Sequence, residues 1–157
     1  MSARSILVIE DGSEYTEAFR RLALALVAGR PPELVRAGDA AEARQVLTRR
    51  AGQNMDAVFV DMVFDRTPPE RLAGDLGELV ARYGGDRRRA EQHLARNQGF
   101  YVLNDLKPLL APPQRIVLAF DFSSEPDRLA ALRERFPNLT GLPEGTPISR
   151  VLETLLE

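Results

Sequence analysis

Short apolar runs bounded by acidic or proline-rich turns recur along this chain, alternating with segments whose apolar residues fall at helical spacing. The first run, Ile6-Leu7-Val8-Ile9, is β-branched at three of four positions and ends in Glu10-Asp11-Gly12. This is the pattern of a parallel strand buried on both faces that opens into an acidic turn. A helix is predicted over 13–27, capped by Ser13, with Phe19, Leu22 and Leu26 on its apolar face; Gly29 and Pro31-Pro32 stop it. A brief second strand over 34–37 leads to a helix over 39–49, capped by Asp39, with Ala43, Val46 and Leu47 inward.

The third strand, 57–60, runs four apolar residues straight into Asp61. After the 66–98 segment come a helix over 99–110 ended by Pro112-Pro113, a strand over 116–120, a helix over 125–136 with Leu129, Leu132 and Phe136 on one face, a strand over 139–142 and a closing helix over 148–156. Five short strands alternating with helices, without a hairpin signal, predict an α/β fold: a doubly wound parallel sheet in one domain spanning 1–157. Ligand sites of such sheets lie beyond the carboxyl ends of the strands.

The 66–98 segment reads as a helical insertion. Thr67-Pro68-Pro69-Glu70 is a helix start, and Leu72, Leu76, Leu79 and Val80 give an apolar stripe to about Tyr83. Gly84-Gly85 breaks that helix. Asp86 caps a second one carrying Arg87, Arg88, Arg89, His93 and Arg96, which can run on into 99–110. The insertion holds seven arginines against five acids, about +2, which leaves the remainder of the chain at about −4.

Composition narrows the function classes. A net charge of −2 gives no electrostatic case for nucleic acid. With no cysteine, disulfides and thiolate metal sites are excluded, and His93 as the single histidine excludes a multi-histidine site within the chain. The residues before the first strand lead into only four apolar positions, too few for a signal-peptide core or a membrane span. A soluble, cytoplasmic protein without a membrane partner is the expectation.

Glu10, Asp11 and Asp61 all stand just past strand ends, where a parallel sheet gathers them at one edge. Crowded carboxylates raise one another's pKa unless a cation joins them, and an all-oxygen set of this kind suits Mg²⁺. The alternative is that acids at strand ends cap the following helices, as Asp11 and Asp39 could.

The stretch from Ile6 to Leu22, Arg36-Ala-Gly-Asp-Ala-Ala-Glu-Ala-Arg, Asp56-Ala-Val-Phe-Val-Asp-Met and Gly99-Phe-Tyr-Val-Leu-Asn-Asp-Leu occur in an order and spacing that resemble the receiver domains of two-component response regulators. The resemblance covers nearly the whole chain except the insertion. It implies a flavodoxin-like strand order 2-1-3-4-5 and a non-enzymatic, stand-alone signalling module acting through protein–protein contacts. It also implies Asp61 as phosphoacceptor, Glu10, Asp11, Asp61 and the Val63 carbonyl as Mg²⁺ ligands, and a histidine kinase or phosphotransfer protein upstream of a protein partner.

The chain departs from that family where a phosphoryl group is normally held. The position of the family's hydroxyl falls on Ala119 or Phe120, and Ser123 and Ser124 read better as caps of the next helix. The family's lysine before a proline is Leu142 here, and its switch aromatic is replaced by Leu139 or Thr140. Each missing charge-assisted hydrogen bond removes about 1.5–3 kcal/mol. Ordinary switching is therefore expected to be impaired, which makes the chain an atypical receiver.

Within the insertion, Arg66 or Arg71 could supply the missing cation. Alternatively the hairpin covers the site, displays Leu76, Leu79 and Tyr83 to a partner, or simply packs on the body by its leucine stripe. A phosphorylation-independent pseudo-receiver is the alternative function. A haloacid-dehalogenase-like phosphatase is the more distant one, since Val63 stands where that family needs a second aspartate. No glycine-rich loop follows the first strand for a nucleotide.

Overall fold

The computed structural model describes residues 4–26, 29–50, 55–110 and 114–157. Strand β1 (Ser5–Ile9) pairs in parallel with β2 (Glu33–Ala37) on one side and β3 (Ala57–Val60) on the other. Beyond β3 lie β4 (Arg115–Leu118) and β5 (Leu139–Thr140), also parallel, giving the order β2-β1-β3-β4-β5. The doubly wound sheet read from the sequence is present. Strands β4 and β5 are each shorter than the 116–120 and 139–142 runs predicted, though Leu142 N–H still donates to Phe120 O at 2.9 Å.

Alternation along the strands sorts the core into two layers. Ile6, Val8, Ala57, Phe59 and Val117 pack against α1 (Glu14–Leu26) and α7 (Ile148–Leu156) through Phe19, Ala23, Val151, Leu152 and Leu155. Leu7, Ile9, Val58, Val60, Ile116 and Leu118 face α2 (Ala40–Arg49), α5 (Gln98–Leu106) and α6 (Pro126–Arg135). Both faces of the central strands are therefore buried, the reason their sequences are continuously apolar. The proposed ends of two helices, Val27 and Pro112-Pro113, lie outside the described residues.

The insertion departs from expectation in its first half. The predicted single helix is a 3₁₀ turn, Pro69–Arg71, followed by a separate α3 (Leu76–Arg82). Gly74 at φ 108 breaks the chain between them, and Asp75 caps α3 by accepting from Glu78 N–H at 3.0 Å. Helical spacing of leucines thus continued across a bend it does not forbid. After Gly84 and Gly85, both at positive φ, Asp86 caps α4 (Arg87–Arg96) as expected, accepting from Arg89 N–H at 3.1 Å. The chain breaks again at Asn97 before α5 rather than running on.

Leu79, Ala90 and Leu94 form a small third core with Leu72, Leu76, Val80, Tyr83 and Tyr101 around it, and Leu72 also packs on the main core. The leucine stripe is turned inward: Leu79 is buried and is not displayed to a partner. His93 is partly buried, with Nδ1 3.0 Å from the Tyr83 hydroxyl. Gln98 fastens the insertion's start to its end. Buried at the α5 N-terminus, it accepts from Ala73 N–H at 2.6 Å and donates to Ala73 O at 3.1 Å and Leu94 O at 3.2 Å.

Candidate functional site: the acidic corner at the carboxyl end of the sheet

Parallel register carries Glu10, Asp61 and Ala119 to one edge of the sheet. Glu10 N–H donates to Ala37 O at 3.1 Å, Asp61 N–H to Ile9 O at 2.9 Å and Ala119 N–H to Val60 O at 2.9 Å. Glu10 is fully buried. Its Oε1 accepts from Tyr15 N–H at 3.1 Å, and its Oε2 accepts from Thr16 N–H and Thr16 Oγ1, both at 2.7 Å. The carboxylate therefore caps the first turn of α1, where unpaired N–H groups and the helix dipole favour a negative charge. Both Glu10 oxygens, expected from the resemblance to face a metal, are here engaged by the start of α1. Alternation had already pointed Glu10, like Ile6 and Val8, toward α1.

Asp11 is half-buried, and its Oδ2 accepts from Arg66 N–H at 2.8 Å. It does not cap α1, which was the alternative raised for it. The Arg66 guanidinium reaches across the turn to Glu14 at 2.6 Å, where it lowers the Glu14 pKa and has its own pKa raised. Beneath the turn, Arg36 of β2 donates to the carbonyls of Gly12, Asp11 at 3.0 Å and Glu10 at 3.2 Å. Three carbonyls held by one guanidinium fix the acidic turn, a role that nothing in the spacing of Arg36 announced.

Asp61 is half-buried, with Oδ1 accepting from Met62 N–H at 2.8 Å. Burial first, then the charges of Glu10, Asp11 and Glu14, push its pKa up to about 6, against the single lowering effect of the Met62 N–H. No arginine acts on it comparably. Arg71 is committed elsewhere: its guanidinium pairs with the buried Asp39, Nε to Oδ2 at 2.9 Å, and lies 3.5 Å from Glu42. Asp39 also caps α2 through Glu42 N–H at 2.8 Å, as predicted. Val63 lies two residues past Asp61 with its side chain exposed.

A magnesium ion asks for carboxylate oxygens left free to face it. Glu10 has three donors on its two oxygens, Asp11 has given one oxygen to Arg66, and among the described residues no three acidic or histidine side chains are gathered to hold a metal. As folded, Glu10 is turned away from any shared ion, and Asp11 and Asp61, each with one oxygen engaged, are the carboxylates left at the corner.

The raised Asp61 pKa has a stability consequence with a definite sign. A carboxyl titrating near 3.8 when unfolded and about 6 when folded binds more protons in the native state between those values, so stability falls as pH rises through that window. Asp61→Asn removes the ionisable group. With solvent screening at this half-buried site, the variant is expected to gain about 1–2 kcal/mol at neutral pH. The gain should vanish below about pH 4. Urea unfolding across that range checks it, and a variant less stable than the parent at neutral pH would contradict it.

Downstream of β4, Ala119 and Phe120, the two candidates for the hydroxyl position, are both partly buried. Phe120 sits in a cluster with Phe100 and Phe122, and the Arg128 guanidinium lies 3.9 Å above the Phe100 ring. Ser123 does not cap α6: its N–H donates to Asp121 Oδ1 at 2.8 Å, and Glu125 stands at the cap position without a side-chain bond. Asp121 Oδ2 accepts from Glu144 N–H at 2.9 Å, tying the loop after β4 to the loop after β5. These bonds hold the Asp121 pKa down. Between the two loops and α7 lies an open groove of about 330 Å³ lined by Tyr15, Ala119, Leu142, Thr146, Ile148 and Val151, among others.

The five-stranded order β2-β1-β3-β4-β5 is that of the flavodoxin-like receiver fold. Solved structures agree. The chain is similar to a CheY-like response regulator receiver domain protein from Methanospirillum hungatei JF-1, at 12% identity and TM-score 0.56, covering 99% of this chain and 92% of that one. It is similar to a CheY-like receiver domain from Methylobacillus flagellatus, at 16% identity and TM-score 0.54, covering 98% and 99% respectively. The phosphorylated cyanobacterial phytochrome response regulator RcpA matches at 15% identity and TM-score 0.52, covering 98% and 89%. At these identities the likeness is one of fold. No protein-family model and no curated protein matches the sequence. Among the described residues, no helix is long and apolar enough to cross a membrane.

Proposed function

We propose that the chain is a receiver-fold signal-transduction module that works by binding a protein partner, without depending on Mg²⁺-assisted phosphorylation of Asp61. The observation that carries this reading is the diversion of the acid pair: Glu10 caps α1, and Asp11 is held by the Arg66 amide. A phosphoryl group on Asp61 would add negative charge beside Glu10, Asp11 and Glu14, with Ala119 and Leu142 offering neither hydroxyl nor cation. Like charges confined at this range destabilise one another. The module carries out no turnover of its own in this reading, and the insertion, packed by its own small core, shapes one wall of the corner.

The second reading is Mg²⁺-dependent phosphoacceptance at Asp61 from a histidine kinase or phosphotransfer protein. It draws support from the carboxylate crowding that raises the Asp61 pKa and from the phosphorylated state of one similar structure. Titration of Mg²⁺ into the ¹⁵N-labelled protein separates the two. Amides of Asp11, Asp61 and Met62 should show no saturable shift; a saturable shift that Asp61→Asn removes would favour the second.

A further inference from the structure

The groove between the β4 and β5 loops is open on the same side of the sheet as Asp61. Asp61 directly follows Val60, which is in register with Leu118, so Asp61 and Ala119 stand side by side on adjacent strands. Alternation directs both toward the α1 and α7 layer, as it does Phe59 and Val117 before them. Tyr15 links the two features: its ring packs tilted against Phe59 at 4.5 Å between centroids, it lines the groove, and burial first, then the Asp61 charge, raises its pKa.

The walls are apolar, from Ala119, Leu142, Ile148 and Val151, while the rim carries Asp121 and Glu144 and, among the described residues, no lysine or arginine lines it. Asp121 stays ionised because three donors hold its carboxylate. An apolar channel with carboxylates at its mouth, and with Asp61 on the strand next to its Ala119 wall, complements a side chain with a hydrocarbon stem and a cationic head.

Resting on the binding-module reading above, we infer that this groove is a docking site for a lysine or arginine side chain presented by a protein partner. The stem lies against Ala119, Leu142 and Val151, and the cation is drawn to the Asp61 edge. An acidic or purely apolar anchor would leave Asp61, which no arginine pairs, without a counter-charge, so a basic anchor is the occupant the charges select.

The probes are Nα-acetyl-lysine methylamide and its norleucine analogue, which keeps the stem and lacks the ammonium, titrated into the ¹⁵N-labelled chain. The lysine probe should shift the amides of Ala119, Leu142 and Thr146 saturably, and should bind about fivefold more tightly than norleucine at low salt. Asp61→Asn should erase most of that preference, and Ala119→Leu, which fills the groove, should abolish binding of both. Glu144→Gln, an exposed rim change, serves as a second charge variant and should weaken the lysine probe alone. Equal affinity for the two probes, a preference that survives Asp61→Asn, or the lack of any saturable shift at the groove would overturn the proposal. Its failure is separable from failure of the functional reading, which phosphate incorporation at Asp61 reports independently.

Discussion

Phe64→Ala is expected to cost about 3–5 kcal/mol in urea unfolding, the range for truncating a fully buried phenylalanine. Phe64 is fully buried in the main core three residues past Asp61, and its N–H donates to Ala95 O at 2.9 Å. It is the point at which the chain leaving β3 is fixed to α4. Its loss should therefore open the insertion before the sheet. Hydrogen exchange should speed most in α3 and α4, while amides of β1 and β3 slow or speed only with global stability. A loss below about 1 kcal/mol, outside the range for such truncations, would mean the site collapses around the cavity and the insertion is not anchored there.

Gly99→Val should be nearly as damaging, for the opposite reason. A Cβ at Gly99 would meet the Asp61 carbonyl oxygen at 2.8 Å, Leu118 Cδ1 at 2.8 Å and Met62 Sδ at 2.9 Å. The two side chains can yield, but the Asp61 carbonyl belongs to the end of a central strand and cannot. Removing a glycine from a helix ordinarily gains up to about 1 kcal/mol. Overpacking costs about 1–3 kcal/mol, and the branched side chain falls at the upper end, so the net loss should be about 2–3 kcal/mol. Gly77→Ala supplies the contrast: in α3, its nearest Cβ neighbour is Asp75 Oδ1 at 3.4 Å, and the substitution should be neutral or stabilising. If both glycines gave the same sign, close packing of α5 on the Asp61 strand would be refuted. Since α5 leans directly on that carbonyl, Gly99→Val should also disturb the chemical shifts of Asp61 and Met62.

These two positions show what the sequence could convey. Runs such as Ile6–Ile9 are apolar at every position because both faces of β1 are covered, so the strands and their alternation with helices were legible without tertiary knowledge. Asp39 and Asp86 were legible as caps because a short acid before a periodic stretch has one favourable local use. Gly99 was visible only as a residue that lowers helix propensity. Its purpose, close approach of α5 to Asp61, depends on a contact between distant parts of the chain. The bend at Gly74 was hidden by leucines whose helical spacing continues across it, although Gly74 sits where a Cβ would meet Leu94 and Tyr101.

The candidate site was legible in membership more than in arrangement. Asp61, Glu10 and Asp11 do converge on one edge of the sheet, as strand-end positions require. Which way each carboxylate turns was decided by partners the pattern did not single out: Thr16 for Glu10, the Arg66 amide for Asp11, and Arg36 beneath the turn. Parity along β1 held the signal for Glu10, since its side chain follows Ile6 and Val8 toward α1. Arg66 was picked out as a cation for the corner, and it does reach the corner, but as the partner of Glu14 and Asp11. Arg71 went to Asp39, whose buried carboxylate offers a stronger partner than the half-exposed edge does.

The central claim is that the Asp61 corner has left phosphoryl chemistry while keeping the receiver fold. Incubating the protein with acetyl phosphate and Mg²⁺ and recording its intact mass tests this most directly, with Asp61→Ala alongside. The account predicts the same unmodified mass for both proteins. A phosphoryl adduct on the parent that requires Mg²⁺ and is lost in Asp61→Ala would contradict it.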